Sequence, residues 1–233
     1  MGPSFQKTLR DLEGKERQIQ VLLRSVQQAQ EEETAYQLSF RLAAACDQAT
    51  LLARALPAYT GRLRAFQEVG GMVRETVPMD IGFTQEGWFC LRIPFLLPKK
   101  ETGSTAYVRS LVYPSLRRFF QRIPLPRYSP CVLIFRHVYA RDRPERRFRD
   151  HDNIETNMVA DAVALYTMED DCPRVCSHYA CTALGDRERT EVYVVPEGDF
   201  PLWLLSEKSM PEEGVALLEK CPKAAQKDRA KWA

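Results

Sequence analysis

The sequence has no apolar run near the roughly 20 residues that span a bilayer, so a transmembrane helix is not expected. Its N-terminus, Met1-Gly2-Pro3-Ser4, lacks a basic segment followed by an apolar one, which reads as a cytoplasmic rather than a secreted chain. Neither sign of charge dominates: 33 Lys+Arg against 31 Asp+Glu leave a net charge of +2, so any nucleic-acid surface must come from local clustering. The seven cysteines are odd in number and mostly sit in apolar runs, which argues for reduced thiols rather than a disulfide framework. Cys172, Cys176, His178 and Cys181 fall close together, but strand alternation over 175–181 puts Cys176 and His178 on one face and Cys181 on the other, so core packing is the better reading than zinc. Nothing in the sequence suggests a small-molecule cofactor.

With 233 residues and 45% hydrophobic composition, the chain can bury one catalytic-size module plus an accessory piece. Residues 5–66 hold only Pro57, Gly14 and Gly61 as breakers, and Leu38, Leu42, Ala45, Ala49, Leu52 and Leu56 recur at 4-3-4-3-4 spacing. Ile19, Leu22 and Val26 form an earlier stripe, and Thr34 to Gln37 resembles a capping box. A helical hairpin is the favoured reading of residues 1–70, with one long dimerising helix as the alternative. Gly70-Gly71 reads as a linker to a second module, residues 71–196, in which the pattern turns β-rich.

In that module, Val77–Phe83 and Trp88–Leu97 read as a hairpin across Gln85-Glu86-Gly87, and Ser104–Arg122 as a helix that Pro114 starts or kinks. Cys131–Ala140 reads as a strand, Asn153–Thr167 as a helix, and Val175–Thr182 and Thr190–Val195 as strands paired across Gly185-Asp186-Arg187. The order gives an α+β domain on a mixed sheet with packed helices. Residues 197–233 read as a partly disordered extension with a short helix around Glu212–Lys220.

The chemistry concentrates around Arg146-Arg147-Phe148-Arg149-Asp150-His151-Asp152-Asn153. Asp150 and Asp152 lie directly before one expected helix, and Glu169-Asp170-Asp171 follows it. Converging carboxylates repel each other and a phosphate backbone, and a hard divalent cation reverses that sign. Mg²⁺ on one to three carboxylates, open to water and a phosphate oxygen, is the usual arrangement for phosphodiester hydrolysis. Arg136, Arg141, Arg143, Arg146, Arg147 and Arg149 lead into the acid pair, a basic strip suited to a nuclease, with Arg117 and Arg118 on the preceding helix as a second cationic surface. Taken singly the motifs have ordinary readings, since Asp152 with Glu155 fits a helix cap and Asp170-Asp171-Cys172-Pro173 fits a turn.

As an ordered set, RRFRDHDN, then Asp161-Ala162-Val163, then Asp170-Asp171, this stretch resembles the RusA-like Holliday junction resolvases, over roughly half of the chain. The resemblance implies a Mg²⁺-dependent endonuclease, with Mn²⁺ as a substitute, that acts on branched DNA as a homodimer. It implies Asp150, Asp152 and Asp171 as metal ligands or orienters of the attacking water, and Asp161, Asp170, Asn153 and Glu155 as supporting groups. The family carries a lysine one turn into the helix where this chain has Thr156-Asn157. That departure raises a second reading, a catalytically impaired DNA-binding protein on the same fold. A third is a helical protein-interaction adaptor.

Overall fold

The computed structural model describes residues 2–100, 104–121, 123, 127–144 and 148–222. It is an α+β protein whose five-stranded mixed sheet carries the helices, with no described helix long and apolar enough to cross a membrane. Helices α1 (Pro3–Gln28) and α2 (Glu32–Ala55) pack on each other as a hairpin, burying Leu22 and Ala45 from the two stripes. The turn into α2 starts at Glu31, whose carboxylate accepts from Thr34 Oγ1 at 3.3 Å, so Thr34 lies inside the first turn rather than at a capping box.

Gly70 and Gly71 are not a linker. They lie inside α3 (Ala65–Thr76), which buries Ala65 and Val73; the apolar spacing on this face outweighs the cost of about 1 kcal/mol that each helical glycine carries. The β-rich part therefore begins at β1 (Asp80–Phe83), which turns through Gly87, at φ +84°, into β2 (Phe89–Ile93). Helix α4 (Ser104–Phe120) contains Pro114 in its interior, and β3 (Cys131–Ala140) follows. Helix α5 (Asn157–Thr167), β4 (Cys176–Gly185), β5 (Arg189–Pro196) and α6 (Phe200–Glu207) complete the order.

The sheet order is β1-β2-β5-β3-β4. The expected β4–β5 hairpin does not form: β5 enters between β2 and β3, antiparallel to both, while β4 runs parallel to β3 as an edge. Burial explains the choice. Every residue of β5 from Arg189 to Val195 is buried, as a central strand requires, whereas Ser177–Ala180 of β4 are exposed. Odd-numbered β3 residues (Cys131, Leu133, Phe135) face the core under α4 and α5, and Val132 and Ile134 face the core with Trp203 of α6. Glu212–Lys220 is not helical either; Phe83 and Leu218 exchange backbone hydrogen bonds at 2.8 Å in both directions, so this segment covers the β1 edge.

Candidate functional site

After β3 the chain folds back over the α5 face of the sheet. Phe148 stacks on Tyr139 at 4.3 Å between centroids, and His151 stacks on His137 at 5.4 Å. His151 Nε2 lies 3.0 Å from Thr182 Oγ1, and Thr182 is itself the register partner of His137. A short 3-10 turn, His151–Asn153, thus holds Asp150 and Asp152 exposed on either side of an anchored imidazole, level with the later half of β3 and β4.

His137 lies under this station. It is fully buried, both its ring nitrogens lack hydrogen-bond partners, and burial pushes its pKa down to about 4, with the His151 and Arg149 charges adding. The sequence reading missed His137 because it sits in a mostly apolar strand; the signal was its position two residues from Phe135 and Tyr139 on one face.

Asp171 lies elsewhere. Helix α5 runs back along the sheet until Thr167 O accepts from Tyr128 N, and Asp170 and Asp171 then form the turn before Cys176. Asp170 Oδ1 accepts from Cys172 N at 3.2 Å, and its bonds to Cys172, first through the side chain, hold its carboxyl below the usual range. Asp171 lies between the end of α5 at Thr167 and the start of β4 at Cys176, and its charge adds to the raised pKa of His178, which comes mainly from the hydrogen bond to Cys176. The stations at Cys176 and Thr182 are six residues apart on one strand, which is about 20 Å. One chain therefore does not converge Asp150, Asp152 and Asp171 on a shared cation, and among the described residues no group of three His, Cys, Asp or Glu side chains is placed to hold a metal ion. Cys181 is on the face opposite Cys176 and His178, packed with the Trp203 cluster.

The supporting groups divide as well. Asp161 is exposed on α5. Helix α5 starts at Asn157, four residues later than expected, so Asn153 is not at the helix start: its carbonyl accepts from Lys100 N at 3.0 Å. Glu155 is buried at 6% exposure, where it accepts from Ser104 Oγ, Thr105 Oγ1 and the Met158 amide. It ties α4 to the start of α5 and does not face the acid pair's solvent side. Thr156 is the residue before α5 rather than one turn inside it.

Most of the described basic strip is already engaged. Arg136 is buried against Glu191 and Glu207, Arg141 pairs with Glu212 and Asp186, and Arg143 pairs with Glu188. Arg149 donates to the Leu97 carbonyl and lines a 260 Å³ cleft against α2 with Phe40, Asp47 and Lys99; burial lowers its pKa. Arg146 and Arg147 lie outside the described residues. Arg117 and Arg118 are exposed in the last turn of α4.

Comparisons with known proteins add little chemistry. No curated protein matches the chain. Among solved structures, the periplasmic domain of Helicobacter pylori MotB is similar at 12% identity, covering 57% of this chain and 90% of that one, with a TM-score of 0.31. The sequence matches a described family, the family of unknown function DUF6100, over residues 2–220, and the chain belongs to that family.

Proposed function

We propose that the protein is a DNA endonuclease of the branched-DNA type, with Asp150 and Asp152 as its reaction station. The observation that supports this most is the anchoring of the acid pair: His151, between the two carboxylates, is fixed by Thr182 and by the buried His137. Exposed paired acids held on a rigid sheet rather than a free loop suit a site whose geometry must be kept. Mg²⁺, or Mn²⁺ in its place, is the cofactor of this reading, although a single chain does not bring Asp171 to the pair. The DNA surface of this reading is Arg117 and Arg118, with Arg146 and Arg147.

The second reading, a DNA-binding protein without cleavage, is favoured by one observation: Arg141, Arg143 and Arg149 already have partners within the chain, and Thr156 stands where the resembled family has its lysine. One gel separates the two. A synthetic four-way junction incubated with and without Mg²⁺ should be bound in both conditions and cut only with the cation. Asp150→Asn and Asp152→Asn should each keep binding and lose cleavage. Binding without cleavage in Mg²⁺ or Mn²⁺ establishes the second reading, and absence of binding removes both.

A further inference from the structure

Two thiols lie side by side where β3 and β4 begin. Cys131 and Cys176 are register partners, each the first residue of its strand. Facing positions on neighbouring strands stand about 4.8 Å apart, inside the roughly 4.4–6.8 Å between Cα atoms that a disulfide spans. Both side chains belong to the apolar cluster that packs on α4 and α5, and each is within hydrogen-bond reach of the other. The Cys131 amide donates to Val175 O at 2.8 Å, which holds the facing pair against slippage. His178, two residues further along the same face of β4, is exposed and within hydrogen-bond reach of Cys176.

These contacts set Cys176 apart from other thiols of the chain. Hydrogen bonding, first from Cys131 and then from His178, holds the Cys176 thiol below its ordinary pKa against the opposing effect of burial. The same bond to Cys176, with burial next, raises Cys131, so the pair keeps its proton on Cys131 and leaves the negative charge on Cys176. His178 is raised by its bond to Cys176, which makes it the cation beside that charge. By contrast, burial pushes Cys90 and Cys181 up to about 12, and they face Tyr193 and Arg136 rather than a second cysteine. The thiolate, not the thiol, is the nucleophile. Cys131 and Cys176 are only 2% and 4% exposed, but their cover is thin: Asp171, Pro173 and Arg174 of the preceding turn and Ser177–Ala180 of the edge strand are themselves exposed. A small oxidant has one turn to pass, and a macromolecule is shut out.

We propose that Cys131 and Cys176 are an oxidant-responsive dithiol that hydrogen peroxide closes to a disulfide, with Cys176 as the attacking and Cys131 as the resolving thiol. In the first step the Cys176 sulfur attacks one peroxide oxygen. An S–O bond forms, the O–O bond breaks, and the departing hydroxide takes the His178 proton and leaves as water. The sulfur is oxidised by two electrons to a sulfenic acid, and the peroxide is reduced. In the second step Cys131 gives its proton to the now neutral His178, and its sulfur attacks that of Cys176. The S–S bond forms, the S–O bond breaks, and the hydroxide leaves as water with that proton. The sum converts two thiols and one peroxide into one disulfide and two waters, and a dithiol reductant reverses it by exchange. The strand register favours the resolving step, because the second sulfur already stands beside the first. The bridge fastens the start of β4 to β3, at the end of the strand away from Thr182, whether or not the chain cuts DNA.

The test uses the full chain, reduced, freed of reductant and treated with hydrogen peroxide. Trypsin under non-reducing conditions should release peptides 128–136 and 175–187 joined to each other, and dithiothreitol should separate them. Because the second peptide also holds Cys181, Cys181→Ser should leave the joined product unchanged. Cys131→Ser should stop at a sulfenic acid on Cys176, trapped by dimedone, and Cys176→Ser should leave Cys131 reduced. His178→Gln should slow the loss of the Cys176 thiol about tenfold at fixed pH, with the urea midpoint of the reduced protein unmoved. Should either serine variant fail to fold, the wild type decides alone, through the order in which its thiols react with sub-stoichiometric peroxide: Cys176 before the exposed Cys46. Oxidation of Cys46 first, a bridge from Cys176 to Cys172, or a dithiol that survives excess peroxide overturns the proposal. An unchanged rate in His178→Gln overturns the proton transfer assigned to that residue.

Discussion

Arg136 and Glu191 are register partners on adjacent strands, and Arg136 Nη1 donates to Glu191 Oε2 at 3.0 Å with Glu191 fully buried. Arg189 Nε and the Tyr193 hydroxyl also donate to this carboxylate, at 2.6 and 3.0 Å, and Arg92 lies 3.7 Å away. Burial alone would raise the Glu191 pKa, but Arg136 and Arg189 hold it below its ordinary value. Removing this buried anion takes from Arg189 the carboxylate it pairs with and leaves Arg136 and Arg92 with Glu207 and Asp80 alone. Glu191→Gln should therefore lower unfolding stability by about 3–5 kcal/mol, read as a shifted urea midpoint with little change in slope.

His137 should make the fold sensitive to acid. Its folded pKa of about 4 lies below the 6.5 of the free side chain, so between those values the unfolded chain binds more protons than the folded one. Stability from this group is complete above pH 6.5 and is lost as pH falls toward 4, by about 3.4 kcal/mol at most. His137→Phe, which keeps a ring between Phe135 and His151, should flatten this part of the stability–pH curve. An unchanged slope means that other groups set the acid limit.

Gly82 has no room for a side chain. A Cβ there would meet the Leu218 carbonyl oxygen at 2.7 Å and Leu217 Cβ at 3.0 Å. Backbone cannot step aside as a flexible side chain can, so Gly82→Ala should cost about 1–3 kcal/mol. It should also loosen residues 215–221, visible as faster proteolysis there than in the wild type.

Arg117 and Arg118 are exposed side by side in the last turn of α4, so Arg117→Glu with Arg118→Glu should weaken DNA binding across sequences. It should also flatten the plot of log affinity against log salt by roughly 0.9 for each phosphate that the variant leaves unneutralised. Arg149→Gln, by contrast, should act on the packing of α2 against the domain, lowering thermal stability more than DNA affinity. The opposite ranking would move the DNA surface to the Phe148 side.

Elements defined by their own residues were legible in the sequence. The α2 stripe, the mostly apolar β3 and the turn at Gly87 each follow from a period, a composition or a required φ. Partner choice was not legible, because Thr190–Val195 reads the same beside β4 as between β2 and β3. The start of α5 was misplaced because Glu155 spends its carboxylate on Ser104 and Thr105, some fifty residues away in sequence. The run from Phe200 to Leu205 lacks polar alternation, which hid α6. In the candidate site the acid pair was visible from spacing, but the distance to Asp171 depends on α5 lying along the sheet. His137 became visible only as a position facing His151.

The insertion of β5 between β2 and β3 sets the order in which the protein can form. Phe89 pairs with Val194, a seam joining positions about a hundred residues apart, so its closure is slow and comes late. A chain leaving the ribosome exposes β2 and β3 as bare edges until Pro196 has emerged, because their common neighbour is the last strand made. The nascent protein therefore passes through a long interval in which its two most apolar strands are open to any passing edge, and its yield in a cell should depend on chaperones far more than its finished stability suggests.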